Sequence, residues 1–274
     1  MRIVSTFGFP VFLLSIALPM IVVARDHVSE QAIQIPIADV KGHPRIMQGR
    51  VCRPNDVDRP KLAIINHGSP PRASDRPDME PAQCDSEAAQ WFLHRNYAVV
   101  FVLRLGYGVS GGPWTEAYGD CEDADYFHAG LETAREIDVI VNYALSLPSV
   151  DPTGAIVVGQ SAGGWGTTAY DSIAHPHVVG FINMAGGRGE HYHDQPNSNC
   201  RPEKLVEAAA QYGKKATTPM LWVYAKNDRF FNPKLARVMY EYFAQAGGRA
   251  EFVSPASFDK DGHRQFLGSG GSHI

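Results

Sequence analysis

A serine hydroxyl is a weak nucleophile until a base takes its proton, so a serine that does chemistry needs a sharply presented backbone position, a nearby imidazole and donors for a developing oxyanion. Among the 274 residues of this chain, Ser161 meets the first condition. It lies in Gly159-Gln160-Ser161-Ala162-Gly163, directly after the apolar run 155–158 and before a helical stretch at 167–173. A Gly-x-Ser-x-Gly at a strand-to-helix junction forms a tight turn whose glycines relieve crowding and leave the hydroxyl at the helix N-terminus. The five-residue pattern is common by chance, and the flanking strand and helix give it weight. A glycine-rich phosphate cradle is the rival reading, but no Gly-Lys-Ser/Thr accompanies it.

An orienting acid and a base are expected downstream in that order. The run 220–224 ends in Ala225-Lys226-Asn227-Asp228, which places Asp228 in a loop just past a buried strand, and His263 follows a further strand near 249–253. Asp228 would fix the imidazole tautomer and stabilise the imidazolium, and His263 would relay the proton. An Asp in a loop is ordinarily a turn or cap residue, so its weight comes from Ser161 upstream. One oxyanion donor is expected from the Ala162 amide. The second is expected after the first strand, in Asn66-His67-Gly68-Ser69, from the Ser69 amide, with Gly68 letting the backbone approach and His67 bracing the loop. Tyr107, Trp114 and Trp165 are candidates to line an acyl pocket, and core packing is the equal alternative for each.

These residues need a sheet to hold them on one edge. The runs 62–66, 98–102, 155–158, 178–182 and 220–224 are continuously apolar and alternate with helix-like segments, including 131–147 and 233–246. That is the form of a parallel sheet buried on both faces by helices, an α/β class. Residues 33–37 and 45–51 read as an antiparallel edge hairpin. Residues 69–85 and 186–202 are rich in Pro, Gly, Asp, His and Asn and read as long loops after strands, where ligands bind in such sheets.

A hydrophobic fraction of 44% and a net charge of −4 describe one ordinary globular domain without a basic footprint for nucleic acid. Residues 3–24 are nearly all apolar and precede a polar run from Arg25. They read as a signal peptide over 1–24, with an uncleaved membrane anchor as the alternative; Pro10 and Pro19 argue against a core helix. The expected location is secreted or periplasmic, and residues 25–274 form the single domain. Export favours two disulfides among Cys52, Cys84, Cys121 and Cys200; of the three pairings, Cys84 with Cys121 is preferred because both fall in loop-rich stretches.

No cofactor and no metal are expected. The cysteines are too far apart for a zinc motif, and His191, His193 and Asp194 read as a solvent-facing loop. Asp120, Glu122, Asp123 and Asp125 read as a solvated acidic loop without the glycine spacing of a calcium site.

The residues from 62 to 263 resemble the α/β-hydrolase superfamily, in its dienelactone-hydrolase and prolyl-oligopeptidase-like branch. The resemblance rests on Asn66-His67-Gly68-Ser69, Arg104-Leu105-Gly106-Tyr107-Gly108-Val109-Ser110-Gly111-Gly112, Gly159 to Gly163, Asp228 and Gly262-His263. It implies esterase or peptidase chemistry on an acyl group without a metal; a small-molecule ester is the preferred substrate because no second domain, such as a propeller or extended cap, is visible in the sequence. A peptide-like substrate, or a non-catalytic binding protein on a hydrolase scaffold, is the alternative. Dienelactone hydrolase proper carries cysteine where this chain has Ser161, so that specific activity does not transfer. Members of the fold usually continue with a helix after the histidine, and on this reading that C-terminal helix is missing.

Overall fold

The computed structural model of the protein describes residues 28–266. The expectations for residues 1–24 and for a final helix fall outside them. Eight strands form one sheet in the order β1-β2-β4-β3-β5-β6-β7-β8. The predicted edge hairpin is β1 (Val28–Ala38) and β2 (Pro44–Pro54), paired antiparallel through their full length. β2 also runs antiparallel to β4 (Tyr97–Leu103). From β4 onward the sheet is parallel through β3 (Lys61–Asn66), β5 (Ala155–Gln160), β6 (Val178–Met184), β7 (Met220–Val223) and β8 (Ala250–Val253).

The continuous apolar runs have the physical cause expected of them. Along β3, Leu62 and Ile64 enter one core while Ala63 and Ile65 enter the other, so neither face tolerates a polar residue. The larger core lies under α2 (Tyr126–Leu145), α3 (Ala162–Tyr170), α4 (Pro202–Gly213) and α5 (Pro233–Gln245). The smaller lies under α1 (Glu87–Leu93), which contributes Ala88, Ala89, Phe92 and Leu93. α2 begins five residues before the predicted 131. Asp125, assigned to a solvated acidic loop, is its N-cap and accepts from the His128 amide at 3.0 Å.

Two disulfides are present, Cys52–Cys84 and Cys121–Cys200, so the preferred Cys84–Cys121 pairing is corrected. The reason lies in the layers: Cys52 and Cys84 pack in the smaller core, whereas Cys121 and Cys200 pack against the larger one across the sheet. Loop-rich sequence around Cys84 and Cys121 carried no information about which face each would reach. Among the described residues, no helix is long and apolar enough to cross a membrane.

Candidate functional site

The order β4-β3-β5 places successive parallel strands on opposite sides of β3, and a crevice opens beyond the strand ends where such an order reverses. Ser69 follows β3, Ser161 follows β5, Asp228 follows β7 and His263 follows β8, so all four lie beyond the same edge.

Ser161 joins β5 to α3 with φ 54° and ψ −121°, a conformation that L-residues adopt only when the surroundings impose it. The impositions are visible. Its amide donates to the Met184 carbonyl at 3.0 Å, and its own carbonyl accepts from Trp165 at 2.9 Å and from Gly187 at 3.3 Å. A Cβ on Gly163 would stand 2.5 Å from the Asn66 carbonyl oxygen, so only glycine lets α3 start this close to β3. The Ser161 hydroxyl is buried and has no hydrogen-bond partner among the described residues. Ala162 opens α3, where backbone N–H groups have no intrahelical acceptor.

The Asp228 carboxylate is 1% exposed and fully engaged. One oxygen accepts from the Phe230 and Phe231 amides at 2.7 and 2.8 Å, and the other meets His263 Nδ1 at 3.0 Å. His263, 5% exposed, sits in a short 3₁₀ turn, Gly262–Arg264. Three residues outside the sequence-based assignment tie these loops together. Asp261 accepts from both the Arg229 and His263 amides at 3.0 Å. Asn227 donates to the Phe258 and Asp259 carbonyls at 3.1 Å. Gln160, the neighbour of Ser161, donates to the His263 carbonyl at 3.1 Å. The structure thus brings the Ser161, Asp228 and His263 loops together.

Ser69 approaches from the other side. A Cβ on Gly68 would lie 2.5 Å from Gln160 Oε1 and 2.9 Å from Ser161 Cβ, so the backbone before Ser69 passes directly against the serine turn. His67 holds that backbone: its Nε2 accepts from the Arg104 amide at 3.1 Å, and Nδ1 then donates to the Gly68 carbonyl at 2.7 Å. Burial, reinforced by the Arg104 charge, pushes the His67 imidazole down to about 3, so it stays neutral. Its part is to shape the loop.

Behind Ser69 lies a buried ionic network. Glu116 pairs with Arg104 and with Arg188 Nη2, the latter at 2.6 Å, and accepts from the Tyr107 hydroxyl at 2.9 Å. Burial would raise the Glu116 carboxyl, but the two guanidinium groups hold it well below the usual carboxylate range. Tyr107 in turn hydrogen-bonds the Ser69 hydroxyl and accepts from Trp114 Nε1 at 2.9 Å.

Beside the site runs a cleft of about 480 Å³ whose lining includes Ser69, Pro70, Arg76, Trp114, Arg188 and His191. The Arg76 guanidinium lies 3.8 Å from the Trp114 ring centroid. Of the three aromatic pocket candidates, Trp114 stands on the cleft wall. Tyr107 and Trp165 are both fully buried, the latter donating to the Tyr126 carbonyl at 2.8 Å, which places them in the packing and not on the cleft wall. Arg188 and Glu116 escaped the sequence reading, since a charged residue in a polar loop reads as solvated until the fold buries it.

No protein-family model matches the chain, and no curated protein matches it. Solved structures do. An esterase of Pyrococcus furiosus, Pf2001, superposes with TM-score 0.55 at 14% identity over 82% of this chain and 84% of that one. A Butyrivibrio proteoclasticus protein, Est1E, solved with ferulic acid bound, gives TM-score 0.54 at 14% identity over 82% and 89%. A dienelactone hydrolase-like promiscuous phosphotriesterase from metagenomic libraries gives 0.53 at 11% over 83% and 82%. The chain has the α/β-hydrolase fold of these esterases and dienelactone hydrolase-like proteins.

Proposed function

We propose that the protein is a serine hydrolase that cleaves a carboxylic ester through an acyl-enzyme on Ser161. The observation that carries this reading is the buried Ser161 hydroxyl, held at positive φ and without a partner among the described residues, next to loops in which Asp228 grips the Nδ1 of His263. With Nδ1–H directed at Asp228, Nε2 of His263 is the free base. It takes the Ser161 proton as Oγ attacks the ester carbonyl. The oxyanion is received by the amides of Ala162 and Ser69. The carbonyl re-forms as the carbon–oxygen bond to the alcohol breaks, and the imidazolium gives its proton to that alcohol. Water then repeats the sequence on the acyl-enzyme, releasing the acid and regenerating the serine. Trp114 would form a wall of the substrate cleft.

Esters are favoured over amides because the described residues form one sheet-centred unit, without the propeller or extended cap that peptide recognition by this chemistry normally requires. Two disulfides accord with an oxidising, exported setting and with residues 1–24 as a signal peptide.

Treatment with a fluorophosphonate probe tests the nucleophile: wild type becomes labelled and Ser161→Ala does not, with kcat/KM on nitrophenyl esters falling by about 10⁴-fold or more. Labelling that persists in the Ala variant would remove Ser161 from its role. A folded wild type that never labels would favour the binding-protein alternative, and faster turnover of aminoacyl anilides than of esters would favour a peptidase.

A further inference from the structure

Ser161 makes no hydrogen bond to His263 among the described residues, so the imidazole must be held by other contacts. One is Asp228 at Nδ1. The rest are ring contacts, chief among them a stack. The Phe230 ring lies parallel to His263, with centroids 4.0 Å apart and planes 13° apart. On its opposite face His191 stacks at 4.1 Å and 29°. Phe231 touches His263 at a tilt, 5.6 Å away. A single hydrogen bond leaves a ring free to rock about the bond axis, and a parallel ring on its face removes that freedom.

We propose that Phe230 is a positioning residue for the base: held between His191 and His263, its ring fixes the plane in which His263 presents Nε2 to Ser161. The same residue acts on the acid through its backbone, because its amide donates to Asp228 at 2.7 Å. Side-chain substitution leaves that amide in place and so isolates the ring.

The stack is anchored at its outer end. His191 has left-handed φ and ψ of 52° and 36° and lies on the cleft wall. Its loop is joined to the Asp228 loop by the Asn197 amide on the Arg229 carbonyl at 2.8 Å, and by Asn199 Nδ2 on the Phe230 carbonyl at 3.1 Å. A substrate group entering the cleft therefore meets, in His191, the far end of a stack whose near end is the base.

This inference rests on the base role proposed above, and the experiment separates the two. The rate of fluorophosphonate labelling, ester kinetics, thermal unfolding and the low-field proton resonance of the His263–Asp228 hydrogen bond are measured for wild type, Phe230→Leu, Phe230→Tyr and His191→Ala. In Phe230→Leu, labelling and kcat fall about tenfold with KM within about twofold, and the low-field resonance broadens. Phe230→Tyr restores both. His191→Ala gives a smaller slowing, about threefold, in the same direction. Wild-type rates in Phe230→Leu would overturn the positioning role while leaving the hydrolase reading intact. So would a loss that Tyr does not restore and that follows the drop in unfolding temperature. If Phe230→Leu does not fold, His191→Ala decides, and an unchanged rate and resonance there overturn the proposal. If wild type does not label, the hydrolase reading fails, and the low-field resonance in Phe230→Leu and His191→Ala still reports whether the stack holds the imidazole.

Discussion

At Glu136, fully buried on α2, a carboxyl receives two hydrogen bonds, from the Leu105 amide at 2.8 Å and the Thr115 hydroxyl at 2.6 Å. Burial and repulsion from Glu116 nonetheless push it up to about 7. Its folded value lies above its unfolded one, so the native state binds more protons between roughly pH 4.5 and 7. Stability must then fall as pH rises through that window, by up to about 3 kcal/mol from this group alone. Urea titrations at pH 5 and pH 8 should show that loss, and Glu136→Gln should flatten it. An unchanged slope in the variant would mean that the loss comes from other groups. Part of the proposed site is legible in the sequence at this scale, because Ser161, Asp228, His263 and Ser69 stand in the chain order that the proposed chemistry requires. Gln160, Asn227, Asp261, Arg188 and Glu116 cannot be read so: each is an ordinary polar residue until loops distant in sequence close on it.

Elements were legible where one physical demand dominated. The parallel strands announced themselves because both faces are buried, and β5 and α3 were marked by the motif between them. α1 is only seven residues long, too short for its periodicity to stand out. α4 did carry a signal, with Leu205, Ala208, Ala209 and Tyr212 buried at helical spacing behind Pro202 at its start. The glycine- and histidine-rich loop before it masked that pattern. The start of α2 was missed because Asp125 sits among other acids, which suggested solvent where one of them was a cap. The cap supplies a prediction: Asp125→Ala should lower unfolding free energy by about 1 kcal/mol, measured by denaturant titration. It should leave ester turnover by the folded protein unchanged, since Asp125 lies outside the cleft lining. A larger loss, or none, would deny Asp125 the capping role.

Over the whole molecule, the two disulfides do different work because they close different lengths of chain on opposite faces of the sheet. Cys52–Cys84 spans 32 residues and ties β2 to the segment before α1. Cys121–Cys200 spans 79 and ties the segment before α2 to the start of α4. A longer loop restricts the unfolded chain more, so Cys121→Ala/Cys200→Ala should cost more stability than Cys52→Ala/Cys84→Ala, each on the order of 2–4 kcal/mol by urea unfolding. The functional consequences should diverge further. The Cys200 amide bonds the Gly189 carbonyl at 2.7 Å, closing the loop that carries Arg188 onto the Ser69 network and His191 onto Phe230. Freed of its disulfide, that loop would be held only by hydrogen bonds and ion pairs and should loosen before the sheet unfolds. Under conditions where both double variants remain folded, the Cys121/Cys200 variant should label with fluorophosphonate several-fold more slowly than wild type, and the Cys52/Cys84 variant at the wild-type rate. Equal rates in the two would mean that the sheet holds the cleft loop in place without help from the covalent tie.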